Sequence, residues 1–161
     1  MINLIWAMDK NQLVGDGDRI PWHIKEDLLY YKSKTKGKIV VMGDTTYYSL
    51  KSYYKDKPLP YAKIYVATID KNLKIEDSLN EVIMVYDLIS FLKDFKDELW
   101  VCGGATIYKL SLPYADYLYI SYIDGEYKGD RYFPKIDFSN YELIWENNTE
   151  KVRYTTFKRV K

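Results

Sequence analysis

The sequence predicts an α/β fold, a mostly parallel, twisted central sheet with helices on both faces and antiparallel strands added at a C-terminal edge. Three observations carry this. Short runs rich in β-branched and aromatic residues alternate with segments of helical periodicity, the pattern that builds parallel pairs with crossover helices. The stretch from 117 to 161 instead holds strand patterns without an intervening helix, as antiparallel edges do. No Ser- or Gly-rich linker or low-complexity tract divides the 161 residues, so one domain spanning 1–161 is expected.

The elements follow in order. "INLIWAM" (2–8) reads as a first strand. A glycine-containing loop, "VGDGDRIPW", leads past Pro21 into "IKEDLLYYKSKT", whose spacing predicts a helix with Ile24, Leu28 and Tyr31 on its apolar stripe. "KIVVMG" (38–43) is the next strand, and "TTYYSLK" opens a helix directly after Gly43-Asp44. Strands are predicted at "KIYVAT" (63–68), "VIMVY" (82–86) and "LWVCG" (99–103), with helices in "DLISFLKDF" and, after Gly104, "ATIYKLSL". "YLYISYI" (117–123) and the closing "VRYTTFKRV" complete the sheet.

Composition excludes several function classes. The charge of +1 arises from 24 basic and 23 acidic residues scattered along the chain, so there is no basic stripe for nucleic acid and no acidic tail. No apolar run is long enough to span a bilayer, and "MINLIWAMDK" has neither a basic leader nor a long apolar segment; a cytoplasmic location is expected. One cysteine, Cys102, cannot form an internal disulfide. With His23 as the single histidine and no H-E-x-x-H or C-x-x-C pattern, no metal site is expected, and the acids of "GDGD" do not match a calcium-loop spacing. A G-x-x-x-x-G-K-[ST] loop is also absent. An enzyme so poor in reactive groups borrows its chemistry from an organic cofactor.

Two features point to such a site. Gly43 and the pair Gly103-Gly104 each stand between a strand end and a helix start, where free N–H groups and the positive end of the dipole attract phosphate; tight turns alone would also use glycine there. Asp27 falls inside the apolar stripe of its helix. An acid in a first helical turn complements the dipole, but one turned toward apolar neighbours loses hydration and must gain donors or a proton. Two adjacent N–H groups, as on the edge of a pterin or a diaminopyrimidine, satisfy it.

Along almost its whole length the chain resembles bacterial dihydrofolate reductases. "LIWAMDKNQLVGDGDRIPWHIKEDLLYYK", "VVMGDTTYYSL", "KPLP", "VCGGATIY" and "ISYIDGEYKGDRYFP" follow that family's order and spacing. The resemblance implies a sheet of about eight strands flanked by about four helices, and NADPH-dependent reduction of 7,8-dihydrofolate by hydride transfer to pterin C6 with protonation at N5. It implies that Asp27 binds the pterin 2-amino group and N3 with help from Ser121, and that Trp22 orders a nearby water. Ile5, Ala7, Leu28, Tyr31, Leu50 and Leu59 would wall the substrate, with the carbonyls of Ile5 and Cys102 facing the 4-position and Lys57 near the tail. On the cofactor side, Ala7 and the loop from Val14 and Gly15 to Ile20 would cover the nicotinamide, the loop acting as a lid. Gly43, Thr45 and Thr46 would serve one phosphate-binding helix start, and Cys102, Gly103, Gly104, Ala105, Thr106 and Ile107 the other, with a cis Gly-Gly peptide. Thr68 would bond the cofactor's 2'-phosphate. A monomer is the family default. A reductase of a related dihydropterin lacking the glutamate tail, or a non-catalytic pterin-binding relative, are the alternatives.

Two positions depart from the family. Ala62 in "PLPYAK" stands where the family arginine clamps the glutamate tail, so a methyl replaces a bidentate guanidinium, with Lys63 and Lys57 as the nearby cations. Asp44 stands where relatives commonly carry a basic residue near the 2'-phosphate, so discrimination against NADH should be reduced, with Lys71 as a further cation nearby.

Overall fold

The computed structural model describes residues 1–17 and 19–161. Its strands are β1 (Ile2–Met8), β2 (Leu13–Gly15), β3 (Ile39–Gly43), β4 (Lys63–Ala67), β5 (Val82–Val85), β6 (Leu99–Val101), β7 (Tyr117–Ile123), β8 (Arg131–Tyr132), β9 (Tyr141–Asn148) and β10 (Val152–Arg159). Its helices are α1 (Lys25–Thr35), α2 (Asp44–Tyr54), α3 (Leu88–Asp94) and α4 (Ala105–Ser111). Eight strands form one sheet in the order β5-β4-β3-β6-β1-β7-β10-β9, while β2 and β8 pair separately. Every pairing from β5 through β7 is parallel, and β10 runs antiparallel to both β7 and β9. The expected mixed sheet with its antiparallel C-terminal edge is therefore the fold observed.

Strand alternation decides which residues meet which helices. From β1, Ile2, Leu4, Trp6 and Met8 join the cluster holding Leu88 and Leu92 of α3 and Tyr108 of α4. Ile5, one residue out of phase, packs with Val40, Met42 and Trp100 against Tyr31 of α1 and Tyr47 and Leu50 of α2. Each such buried aliphatic side chain contributes about 1.5–3 kcal/mol of transfer free energy. These two apolar layers hold α1 and α2 on one face and α3 and α4 on the other. Among the described residues no helix is long and apolar enough to cross a membrane.

The central neighbours β1 and β6 send their chains in opposite lateral directions, β1 through α1 to β3 and β6 through α4 to β7. With right-handed crossovers the two helices lie on opposite faces, which opens a crevice at the carboxyl ends of these strands. Ala7, Gly43 and Cys102 all stand at that end.

Helix α1 departs from the predicted stripe. Leu28 is 43% exposed and Leu29 55%, whereas Asp27 and Tyr31 are half-buried and Thr35 is fully buried. The helix turns the i, i+4, i+8 face of Asp27, Tyr31 and Thr35 toward the sheet, leaving its two leucines at the open side.

Candidate active site

The crevice is assembled from five segments. Pairing of β1 with β7 sets Ala7 opposite Ser121. Trp22, only 5% exposed, packs with Ile123, Val152, Tyr154 and the partly buried Ala7 and Ile24, and meets Tyr127 edge-on at 5.4 Å. That cluster fixes the start of α1, whose first turn carries Glu26 and Asp27 without any side-chain cap. Asp27 is thereby aimed at β7.

Burial pushes the Asp27 carboxyl up from 3.8 to about 6; a hydrogen bond with Ser121 pulls it back and the neighbouring Glu26 charge adds to the rise. A carboxylate in this setting is short of donors, and a ligand edge with two N–H groups relieves it.

Behind Asp27 the floor is closed by Tyr31, Cys102 and Ile5, which share a cluster with Leu50 and Leu59. Burial raises the Cys102 thiol to about 12, so it stays protonated at neutral pH and is no nucleophile. The Tyr31 hydroxyl lies 3.0 Å from that of Tyr61, and the Tyr108 hydroxyl donates to the Ile5 carbonyl at 2.7 Å. Neither tyrosine contact was signalled by the sequence, because its partners lie 30 and 103 residues apart. The Ile5 carbonyl keeps a second lone pair for a ligand.

The two glycine turns come together as a pair. The Gly43 N–H donates to the Gly103 carbonyl at 2.8 Å, and the Gly103-Gly104 peptide is cis, as the family resemblance implies. Gly103 has φ +114°, and a methyl group placed there would come 3.4 Å from the Tyr108 hydroxyl and 3.5 Å from Thr46 Oγ1. A methyl on Gly43 would press on Ile107 at 3.1 Å. Thr45 and Thr106 are exposed at the two helix starts. Beside α4 a hollow of about 460 Å³ is lined by Ala105, Thr106, Lys109, Tyr132, Pro134 and Lys135. Two adjacent glycine-bared helix starts, with lysines at the rim, fit the phosphates of a dinucleotide.

Asp44 is held in place by the Thr45 N–H at 2.7 Å and the Thr68 hydroxyl at 3.1 Å. Thr68, expected to donate to a phosphate, is already donating to this carboxylate.

The expected lid is fastened at several points. Asp9, 1% exposed, accepts from the N–H groups of Asn11, Leu13 and Tyr127 at 2.9, 3.0 and 3.0 Å. Beyond it β2 pairs with β8, the Gly17 N–H donates to Asp130 Oδ1 at 2.8 Å, and the Asp130 N–H returns to the Gly15 carbonyl at 3.2 Å. Val14 packs on the core and Ile20 is 58% exposed. Asp18, within this loop, lies outside the described residues.

Not every expected residue converges. Leu28 and Lys57 are exposed and join neither buried cluster of the site. Lys63 pairs with Glu81 at 3.5 Å, which draws it to the β5 side, and Ala62 is exposed.

Comparison with known proteins bears on the family and the fold. A family model described as "Dihydrofolate reductase" matches residues 1–160. The chain is similar to a dihydrofolate reductase of Mycoplasma pneumoniae, 35% identical over 98% of this chain and 94% of the relative. One of Bacillus subtilis is 37% identical over 89% and 82%. Among solved structures, a dihydrofolate reductase from Enterococcus faecalis, described as complexed with NADP(H) and a further ligand, superposes with a TM-score of 0.82 at 25% identity, covering 100% of this chain and 97% of that one.

Proposed function

The chain belongs to the dihydrofolate reductase family, and from that premise we propose how its own residues serve the family's reaction. It is an NADPH-dependent oxidoreductase that reduces 7,8-dihydrofolate to 5,6,7,8-tetrahydrofolate. NADPH, when bound, supplies the hydride that is added at pterin C6.

Asp27 holds the pterin through its 2-amino group and N3, in two roughly parallel charge-assisted hydrogen bonds, and polarises the ring. Binding replaces the hydration that burial removed, so the ionised form is favoured once the ring is in place. Ser121 steadies the same carboxylate. Trp22 orders a water beside it, and solvent admitted by the lid carries the proton to N5, which lies on the far side of the ring from Asp27. Ile5, Ala7, Leu28, Tyr31, Leu50 and Leu59 wall the ring and its substituent, with the Ile5 and Cys102 carbonyls at the 4-position and Lys57 near the tail. Gly43, Thr45 and Thr46 at one helix start and Cys102 to Ile107 at the other hold the cofactor, while the Thr68 hydroxyl is engaged by Asp44. Ala7 and the segment from Val14 through Gly15 to Ile20 shield the nicotinamide from water. Residues 1–161 act as one domain, a monomer in the cytoplasm.

The observation carrying this reading is a half-buried carboxylate, raised to about 6, at the same sheet end as two glycine-bared helix starts. The test follows NADPH oxidation with dihydrofolate, with and without a diaminopyrimidine inhibitor, for the wild type and Asp27→Asn. An amide cannot offer two acceptor oxygens, so turnover at neutral pH should fall roughly a hundredfold. Near-normal turnover by the variant would remove Asp27 from the mechanism.

A further inference from the structure

Asp27 and Tyr31 are one helical turn apart on the same face of α1, so their backbones are separated by about 6 Å along the helix axis. A bicyclic ring anchored at Asp27 has the sheet beneath it and the lid at the N-terminal end of α1. Whatever substituent it carries must leave along the groove toward the helix C-terminus, past Tyr31. That groove is crossed there. Tyr31 reaches from α1 to the floor over β6, where its hydroxyl is buried against Cys102 and stands 3.0 Å from the hydroxyl of Tyr61, in the turn that leads to β4. Tyr61 is also buried, hydrogen-bonded to Thr35 near the end of α1, and shares the Tyr31 cluster with Leu50 and Tyr54. Burial raises both phenols far above neutral pH, so the pair is a neutral hydroxyl–hydroxyl contact in which one phenol donates to the other.

Resting on the family reading above, we propose that Tyr61 is a specificity-determining residue: by tying Tyr31 across the groove it disfavours ligands whose ring carries a long, carboxylate-bearing tail. A tail running past Tyr31 must lie over the closed pair or break it; next to Tyr61 it meets the methyl of Ala62 in place of a guanidinium, and Lys63 is bound to Glu81 at 3.5 Å. A ring without a tail meets only Asp27 and the walls and is unaffected by the tie. Tyr61 thus acts through Tyr31, without touching the reacting atoms.

The test measures binding by quenching of tryptophan fluorescence, with two probes: a 2,4-diaminopteridine carrying an aminobenzoyl-glutamate tail, and the bare 2,4-diaminopteridine. Tyr61→Phe keeps the ring and its packing but deletes the hydroxyl; Tyr61→Gly clears the groove. The preference for the tailed over the bare probe should rise about fivefold in Tyr61→Phe, the worth of one hydrogen bond, and further in Tyr61→Gly. An unchanged ratio would overturn the proposal, and so would a shift toward the bare probe, which would mean that the hydroxyl contacts the tail. Because binding is scored without turnover, failure of the wild type to oxidise NADPH with dihydrofolate is a separate result that strikes the family reading. Binding of neither probe overturns both.

Discussion

Replacing Asp27 by asparagine should stabilise the fold while it disables the site. In the folded chain the carboxyl titrates near 6 against an ordinary 3.8, chiefly because burial removes its hydration. Between those values the folded state holds a proton that the unfolded chain has released, so stability falls as pH rises through the interval. The loss is complete above the folded value, and a shift of about two units corresponds to about 3 kcal/mol. Residual order in the denatured chain and partial solvent access to Asp27 bring the measurable figure to about 2 kcal/mol. Asparagine has nearly the same shape, never ionises and retains an oxygen for Ser121. The assay is urea denaturation of both proteins across the acid range. Asp27→Asn should exceed the wild type by about 2 kcal/mol at about pH 7.5, by roughly half as much at about pH 5, and by little below about pH 4. A variant no more stable than the wild type at neutral pH, or a gap that widens on acidification, would refute the claim that burial strains this carboxylate.

Three further perturbations probe the surrounding machinery. Asp44→Arg replaces the carboxylate that Thr45 and Thr68 hold, and should raise the NADPH-over-NADH preference in kcat/KM by roughly tenfold or more; equal preference in variant and wild type would place Asp44 away from the cofactor's ribose. Ala62→Arg restores a guanidinium beside the groove and should lower KM for dihydrofolate by roughly tenfold, with little change for an untailed dihydropterin; a parallel change for both substrates would contradict a tail contact. Asp9→Asn sets an amide against main-chain donors now satisfied by a buried carboxylate, costing about 2 kcal/mol in chemical denaturation and raising KM for NADPH as the lid loosens. An unaltered cofactor KM would separate Asp9 from the lid.

Much of the fold was legible because its determinants are local. The 2–8 and 117–123 strands appear where alternation and β-branching place them, and α4 begins after Gly104 as the glycine turn predicts. The pairing of β2 with β8 was not legible, since strands of 3 and 2 residues carry no period. Strand β9 was missed for a related reason: seven of its eight residues are exposed, so it has no buried face to alternate. On α1 the stripe of Ile24, Leu28 and Tyr31 identified the helix but misplaced its buried side.

The sequence by itself determined the alternation of strands and helices, the two glycine-bounded helix starts and the presence of an acid on the inner helix, because each depends on residues within a few positions of one another. Only the tertiary structure decided what surrounds that acid. Ser121 stands beside Asp27 because β7 pairs with β1, and Tyr61 closes the groove onto Tyr31 because α1 and the turn before β4 meet above β6. The titration of a carboxyl and the pairing of two hydroxyls are set by the water excluded from around them, and it takes chain segments far apart in sequence to exclude it.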